Sequence, residues 1–293
     1  MRPLHLLGAL GLVVIWGFNF VVTKVGLDAI PPITLCAIRF LLAAFPAVFF
    51  IKRPEIAWAA LAVFGTVMFT VQFAFLYGGI ALGLSAGLAS IALQLHVFVT
   101  LALALALLGE RAGLAQIAGC VLAVLGMVVV ALHVGGDVSI PGLLSLIAAA
   151  FAWGVANILS KRLGRVDMLA LVVWGSLMAP IPLAALALLL EGPTLILHSL
   201  SHLSWVGVGA IAYIVYPVTL MGFSFWSWLL DRYDAALVVP TTLLVPIVAM
   251  LSSALVLGED MPGWKIAAAV LVCSGLAINL FGGRVAAMFV RAR

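Results

Sequence analysis

The sequence predicts an all-α polytopic membrane protein: ten transmembrane helices in two inverted five-helix repeats. Three observations carry that prediction. Hydrophobic residues make up 66% of the chain and charged residues only 8%, against about 25% charged in soluble domains. Ten apolar runs are long enough to cross a bilayer core of roughly 30 Å at about 1.5 Å per helical residue. Finally, the chain repeats itself. Trp16-Gly17 followed by Lys24 recurs as Trp153-Gly154 followed by Lys161, and Leu108-Gly109-Glu110 recurs as Leu257-Gly258-Glu259. In both copies a glycine, Gly126 or Gly275, lies sixteen residues past the glutamate, which marks a duplication. Five spans per copy is an odd number, so the copies enter the bilayer in opposite orientations, an arrangement that places a transported substrate at the repeat interface near the midplane.

The runs lie near 4–23, 33–51, 56–78, 86–108, 113–132, 140–160, 168–190, 203–229, 235–257 and 262–281. The first is too long for the apolar core of a cleavable signal, and Trp16, Asn19 and Lys24 stand where small cleavage-site residues belong; it is expected to remain as span one. Pro32, Pro54, Pro141 and Pro262 mark the starts of spans two, three, six and ten, where a missing N–H costs nothing. Span five carries a small-residue stripe, Gly119, Ala123 and Gly126, matched on span ten by Ala268 and Gly275. Such stripes let helices pack closely, which suits a scaffold and leaves room for a homodimer contact. Between spans seven and eight the offset of the repeat grows from 137 to 149, an insertion of twelve, where residues 191–203 replace the short turn 52–55 of the first copy; loosely alternating apolar and polar residues predict an external loop or short interfacial helix, with a gate lid as the alternative. Pro240 and Pro246 stand inside span nine and free carbonyls there, read either as a packing kink or as a hinge or cavity-lining break.

Residues 1–133 therefore form the first repeat and 138–293 the second, with only short turns outside the bilayer. No extramembrane catalytic, receptor or nucleotide-binding domain fits. The net charge of +4 is scattered over turns and does not form a nucleic-acid patch. With the N-terminus cytoplasmic, one side collects Arg2, Lys52, Arg53, Arg111, Lys161, Arg162, Arg165, Arg232, Arg284, Arg291 and Arg293, and the other only Lys24 and Lys265; the positive-inside rule then predicts both termini in the cytoplasm. Cys36, Cys120 and Cys273 fall inside spans without CxxC spacing and read as apolar fillers.

A polar side chain at membrane depth is costly enough that function is the default hypothesis. Trp16, Asn19 and Thr23 share one face of span one, and Trp153, Asn157 and Ser160 repeat that face on span six. The two faces either line a shared cavity across the pseudo-twofold axis or act as helix-to-helix glue with Trp as interface anchor. Gln72 on span three and Gln94 and His96 on span four add amide and imidazole groups near the midplane; two residues apart, Gln94 and His96 cannot both face the cavity centre. Tyr213 and Tyr216 on span eight share a face. Tyr77, Trp174, Trp226 and Trp228 fit an aromatic belt. Arg39, the one basic residue well inside a span, either snorkels outward or meets a substrate carboxylate.

Lys24 and Lys161 are expected to end their helices as favourable C-terminal charges. Every acidic residue belongs to a turn or helix end, which weighs against a carboxylate-driven antiporter, and Glu110 and Glu259 are expected to cap the starts of spans five and ten. A membrane-embedded enzyme would need a clustered acid, base or metal set, and the chain has neither HExxH nor an aspartate-rich motif. No cofactor or metal is predicted.

Five-plus-five spans, the duplicated Trp-Gly, Arg39-Phe40 in span two and Leu-Gly-Glu with its distant glycine resemble the EamA family of the drug/metabolite transporter superfamily, over essentially the whole chain. The segments Trp16 to Lys24 and Gln72 to Phe75 look most like the family's bacterial amino-acid exporters. This resemblance implies an inner-membrane exporter of amino acids, aromatic ones among them, and related small metabolites, working by alternating access, as a uniporter. The expected substrate-binding set is Trp16, Asn19, Arg39, Gln72, Gln94, His96, Trp153, Asn157, Tyr213 and Tyr216, and the expected partners are that substrate and membrane lipids. Alternatives are a drug, methyl-viologen-type or nucleotide-sugar transporter of the same superfamily, or a channel or assembly protein. One departure stands out: the family's proline is present at Pro246, whereas the first copy has Val97 there, beside His96, so the halves are not expected to move identically.

Overall fold

The computed structural model describes residues 1–135, 138–164 and 166–291, without the side chains of 235–236 and 283–291. Asp137, Arg165 and Arg293, and the side chains of Arg284 and Arg291, which enter the charge reading above, lie outside the described residues. Among the described residues the architecture is all-helical, with ten helices apolar enough to cross a membrane: Pro3–Ala29, Pro32–Phe49, Trp58–Ala81, Ala86–Leu108, Leu114–Ala131, Ile140–Arg162, Met168–Leu190, Trp205–Arg232, Val239–Leu257 and Gly263–Gly282. The last helix continues to Arg291. The insertion is a helix, Pro193–Ser201, whose Leu195, Leu197 and Leu200 are exposed.

Span one is longer than the hydropathy predicts. Lys24 does not end its helix, because Lys24 and Asp28 pair at 3.5 Å in an i,i+4 step and the helix continues to Ala29. Lys161 does lie in the last turn of span six. Pro54 precedes the first helical residue of span three, Trp58, by four positions, whereas Pro32 and Pro141 sit in first turns as expected.

Lipid tails give apolar helices no reason to prefer one another, so close backbone approach decides which helices pair. A Cβ on Gly17 would sit 2.6 Å from the Val248 side chain of span nine, and one on Gly154 would sit 2.5 Å from that of Val99 on span four. Only a missing side chain permits either crossing, which is the physical reason for the Trp-Gly pairs. Val99 and Val248 are themselves related by the sequence offset of the duplication, so each half sends its first span against the fourth of the other. The stripes on spans five and ten face each other inside the chain; a Cβ on Gly119 would lie 2.5 Å from the Gly275 carbonyl. The surface considered for a homodimer contact is thus consumed within one molecule.

Irregular backbone falls at matching places. Spans three and eight widen into π-helix over Thr66–Val71 and Ile214–Met221, a geometry that recurs at functional sites. Span four breaks at Gln94, between Ala86–Leu93 and Leu95–Leu108. Span nine is approached through Ala235–Val238, tightens into a 3-10 turn over Val239–Leu244 and resumes as α-helix at Val245. Pro240 and Pro246 each fall in the first turn of a new segment, so the helix changes geometry there and the missing N–H groups sit where no bond is lost. The Leu-Gly-Glu motif is also explained. Gly109 and Gly258 close spans four and nine with φ of 67° and 68°, a left-handed cap that glycine adopts without strain.

Candidate functional site

Three polar clusters lie where spans of the two halves meet. In the first, span six faces span four. The Trp153 indole stacks on the His96 imidazole with centroids 4.0 Å apart and planes 12° apart. His96 Nδ1 lies 2.8 Å from the Leu93 carbonyl; a carbonyl only accepts, so Nδ1 carries the proton and Nε2 is left as an acceptor. Asn157 Nδ2 donates to Thr100 Oγ1 at 3.0 Å, and that hydroxyl donates to the His96 carbonyl at 2.6 Å. His96, Trp153 and Asn157, singled out separately in the sequence, therefore form one unit, positioned by the break at Gln94. Gln94 is half-buried at the break itself.

In the second cluster, span one faces span eight. Trp16 Nε1 donates to the Val218 carbonyl at 3.2 Å, within the π-helical stretch, and its ring meets Phe223 and Trp226 at 5.8 and 5.4 Å. Trp226 is thus part of this cluster. Asn19 Oδ1 is buried without a hydrogen-bond partner. Tyr213 donates to the Ile15 carbonyl at 3.0 Å, tying span eight to span one, while Tyr216 is 53% exposed. The two tyrosines do not share a face, because the helix widens immediately after Tyr213 and three residues no longer complete most of a turn.

The third cluster is built on Arg39, which is 3% exposed and does not snorkel. Its Nη1 donates to the Tyr77 hydroxyl at 2.7 Å and its Nη2 to Thr219 Oγ1 at 3.1 Å, and its guanidinium lies 4.4 Å from the centroid of Phe73. Arg39 Nε has no partner. Spans two, three and eight meet at this one cation, and the ion pairs of the described residues, Lys24–Asp28 and Lys161–Glu110, do not include it. Tyr77, assigned to a belt from its position, is fully buried beneath Arg39. Five residues before Tyr77 on span three, Gln72 is fully buried with both amide atoms unpartnered. Buried polar groups are seldom left so, and these mark where a polar ligand or water would be accommodated.

The carboxylates behave differently from expectation. Glu259 does not cap span ten; it accepts from the N–H groups of Ala86 and Gly87 at 2.7 and 3.2 Å, at the start of span four. Glu110 does not cap span five; it is ion-paired with Lys161 of span six. Glu191 accepts from Ile33 N, Thr34 N and Thr34 Oγ1 at 2.6, 3.0 and 2.6 Å, capping span two. The starts of spans two and four are thus served by glutamates 158 and 173 residues away, for which local sequence holds no signal. A recess of about 680 Å³ near Asp28, His198 and His202 opens between the turn after span one, the insertion helix and the start of span eight; nothing in the sequence pointed to it.

A family model described as the EamA-like transporter family matches residues 4–132 and 140–281. A probable amino-acid metabolite efflux pump of Salmonella typhimurium is 41% identical over 283 residues, covering 94% of this chain and 95% of that protein. Its namesake in Escherichia coli is 40% identical, covering 94% of each. A crystal structure with 22% sequence identity superposes with a TM-score of 0.65 over 97% of this chain and 99% of the other, a likeness of fold.

Proposed function

Because the chain belongs to the EamA-like transporter family, we propose that it exports amino acids and related small metabolites by alternating access, as a uniporter in the bacterial inner membrane with both termini cytoplasmic. The two halves, 1–133 and 138–293, act as inverted repeats, and the substrate sits between them among the ten residues chosen from the sequence, with Tyr77 and Thr219 added. Membrane lipids surround the outer faces, and any homodimer uses a surface other than the stripe of spans five and ten. The relatives named as amino-acid metabolite efflux pumps support the substrate class.

The observation that carries a carboxylate-bearing substrate is Arg39. A buried cation with only neutral partners is costly in a membrane and is retained where it has work to do. A guanidinium matches a carboxylate in a two-pronged geometry, and the unpartnered atoms of Gln72 and Asn19 provide further donors and acceptors for polar groups of the substrate. Purified protein in liposomes, tested with a panel of radiolabelled amino acids, should show saturable flux. Arg39→Gln should raise the half-saturation concentration roughly tenfold or more, the equivalent of one charge-assisted hydrogen bond. Unchanged saturation in a well-folded Arg39→Gln variant would remove the carboxylate role, and flux that never saturates would indicate a channel.

A further inference from the structure

The sequence offsets make Lys24 the equivalent of Lys161 and Glu259 the equivalent of Glu110. The first two pairs of helix ends lie on opposite faces: Glu110 and Lys161 close even-numbered spans, on the face that also bears the N-terminus, while Lys24 and Glu259 lie towards the ends of odd-numbered spans, on the far face. The structure treats these equivalent pairs differently. Glu110 is bound to Lys161 across the two halves. Lys24 instead pairs with Asp28 of its own helix at 3.5 Å, and Glu259 is occupied by the Ala86 and Gly87 N–H groups at 2.7 and 3.2 Å.

We infer that Glu110 and Glu259 form a reciprocal latch, in which each glutamate alternates between a lysine and a helix start of the opposite half, and the two never hold their lysines together. In the arrangement seen, the face of the N-terminus is held by Glu110–Lys161 and the far face has its glutamate parked on span four. The offset of the duplication identifies the mirrored arrangement: Glu259 takes Lys24, and Glu110 takes the backbone N–H groups at Ala235 and Ala236, the equivalents of Ala86 and Gly87. A half-exposed ion pair and a helix-start cap contribute comparable, small free energies. Exchanging one for the other therefore costs little, as a device that must cycle requires. Lys24 is half-exposed and its present partner is a neighbour on the same helix, so it is available for the exchange. The inference rests on the alternating-access reading of the preceding section and assigns residues to its two closures.

The test uses full-length protein with Cys36, Cys120 and Cys273 replaced by serine, carrying Glu110→Cys with Lys161→Cys, or Lys24→Cys with Glu259→Cys, or all four substitutions. Oxidation is expected to cross-link either double variant and to stop transport, with reductant restoring it. The fourfold variant is expected to form one bond per molecule, counted by mass spectrometry, with the second pair still alkylatable. Two bonds in one molecule, or a Lys24→Cys and Glu259→Cys pair that stays reduced in protein that transports, would overturn the latch. A charge exchange needs no cysteines: Glu110→Lys with Lys161→Glu should recover transport that Glu110→Lys alone loses, and no recovery in a folded double variant counts against the latch. Failure of the carrier reading itself shows separately, as unsaturable flux through the unsubstituted protein.

Discussion

The indole of Trp153 lies flat against the imidazole of His96, 4.0 Å between centroids, and joins the first span of the second half to the broken fourth span of the first half. The ring is held on its other side by the bond from Nδ1 to the Leu93 carbonyl. The ring is thus held by a local backbone bond at Nδ1, and among the described residues no carboxylate is hydrogen-bonded to it.

The uniport proposed above predicts transport without proton movement. With equal substrate on both sides of a liposome membrane and an imposed pH gradient, no net accumulation is expected, in wild type or in His96→Ala. Concentrative uptake that disappears in His96→Ala while passive exchange survives would make His96 a coupling residue.

Gly17 and Gly154 should be intolerant of side chains to a similar degree, since Val248 and Val99 stand in equivalent places against them. Gly17→Ala and Gly154→Ala are each expected to destabilise by about 1–3 kcal/mol through overpacking, read as a lowered unfolding temperature in detergent. Pairing Gly17→Ala with Val248→Gly, or Gly154→Ala with Val99→Gly, should recover part of the loss, because the Cβ atoms of Val248 and Val99 themselves stand 2.6 and 2.9 Å from the added methyl. Lack of recovery would mean that the backbone, and not the valine, sets the limit.

Glu191→Gln should cost about 1–2 kcal/mol, because a charged acceptor of two backbone donors at the start of span two is replaced by a neutral amide. Thr34→Val removes only the hydroxyl bond and should cost less. Equal stability of Glu191→Gln and wild type in thermal unfolding would show that the cap contributes nothing.

Both termini should be cytoplasmic, given eleven basic residues on one side against two on the other. A reporter active only in the cytoplasm should give signal when fused at either end. A silent C-terminal fusion in a well-expressed protein would break the count of spans.

The sequence by itself determined the ten spans, the duplication and the family, because crossing a bilayer requires about 20 apolar residues in a row and a repeat is visible wherever it occurs. It also pointed to Arg39, Gln72, His96, Trp153 and Asn157, since polar side chains stand out against an apolar background. What only the tertiary structure decided was partnership. Arg39 meets Tyr77 and Thr219 from two other spans, Glu259 caps a helix 173 residues away, Tyr216 parts from Tyr213 after the π-helical widening, and Glu110 binds lysine while its equivalent does not. Hydropathy averages along the chain and carries no information on which face of one helix meets another. Those choices are made by close backbone approach at Gly17 and Gly154 and by the need to satisfy buried donors and acceptors across helices, which exist only once the spans have packed.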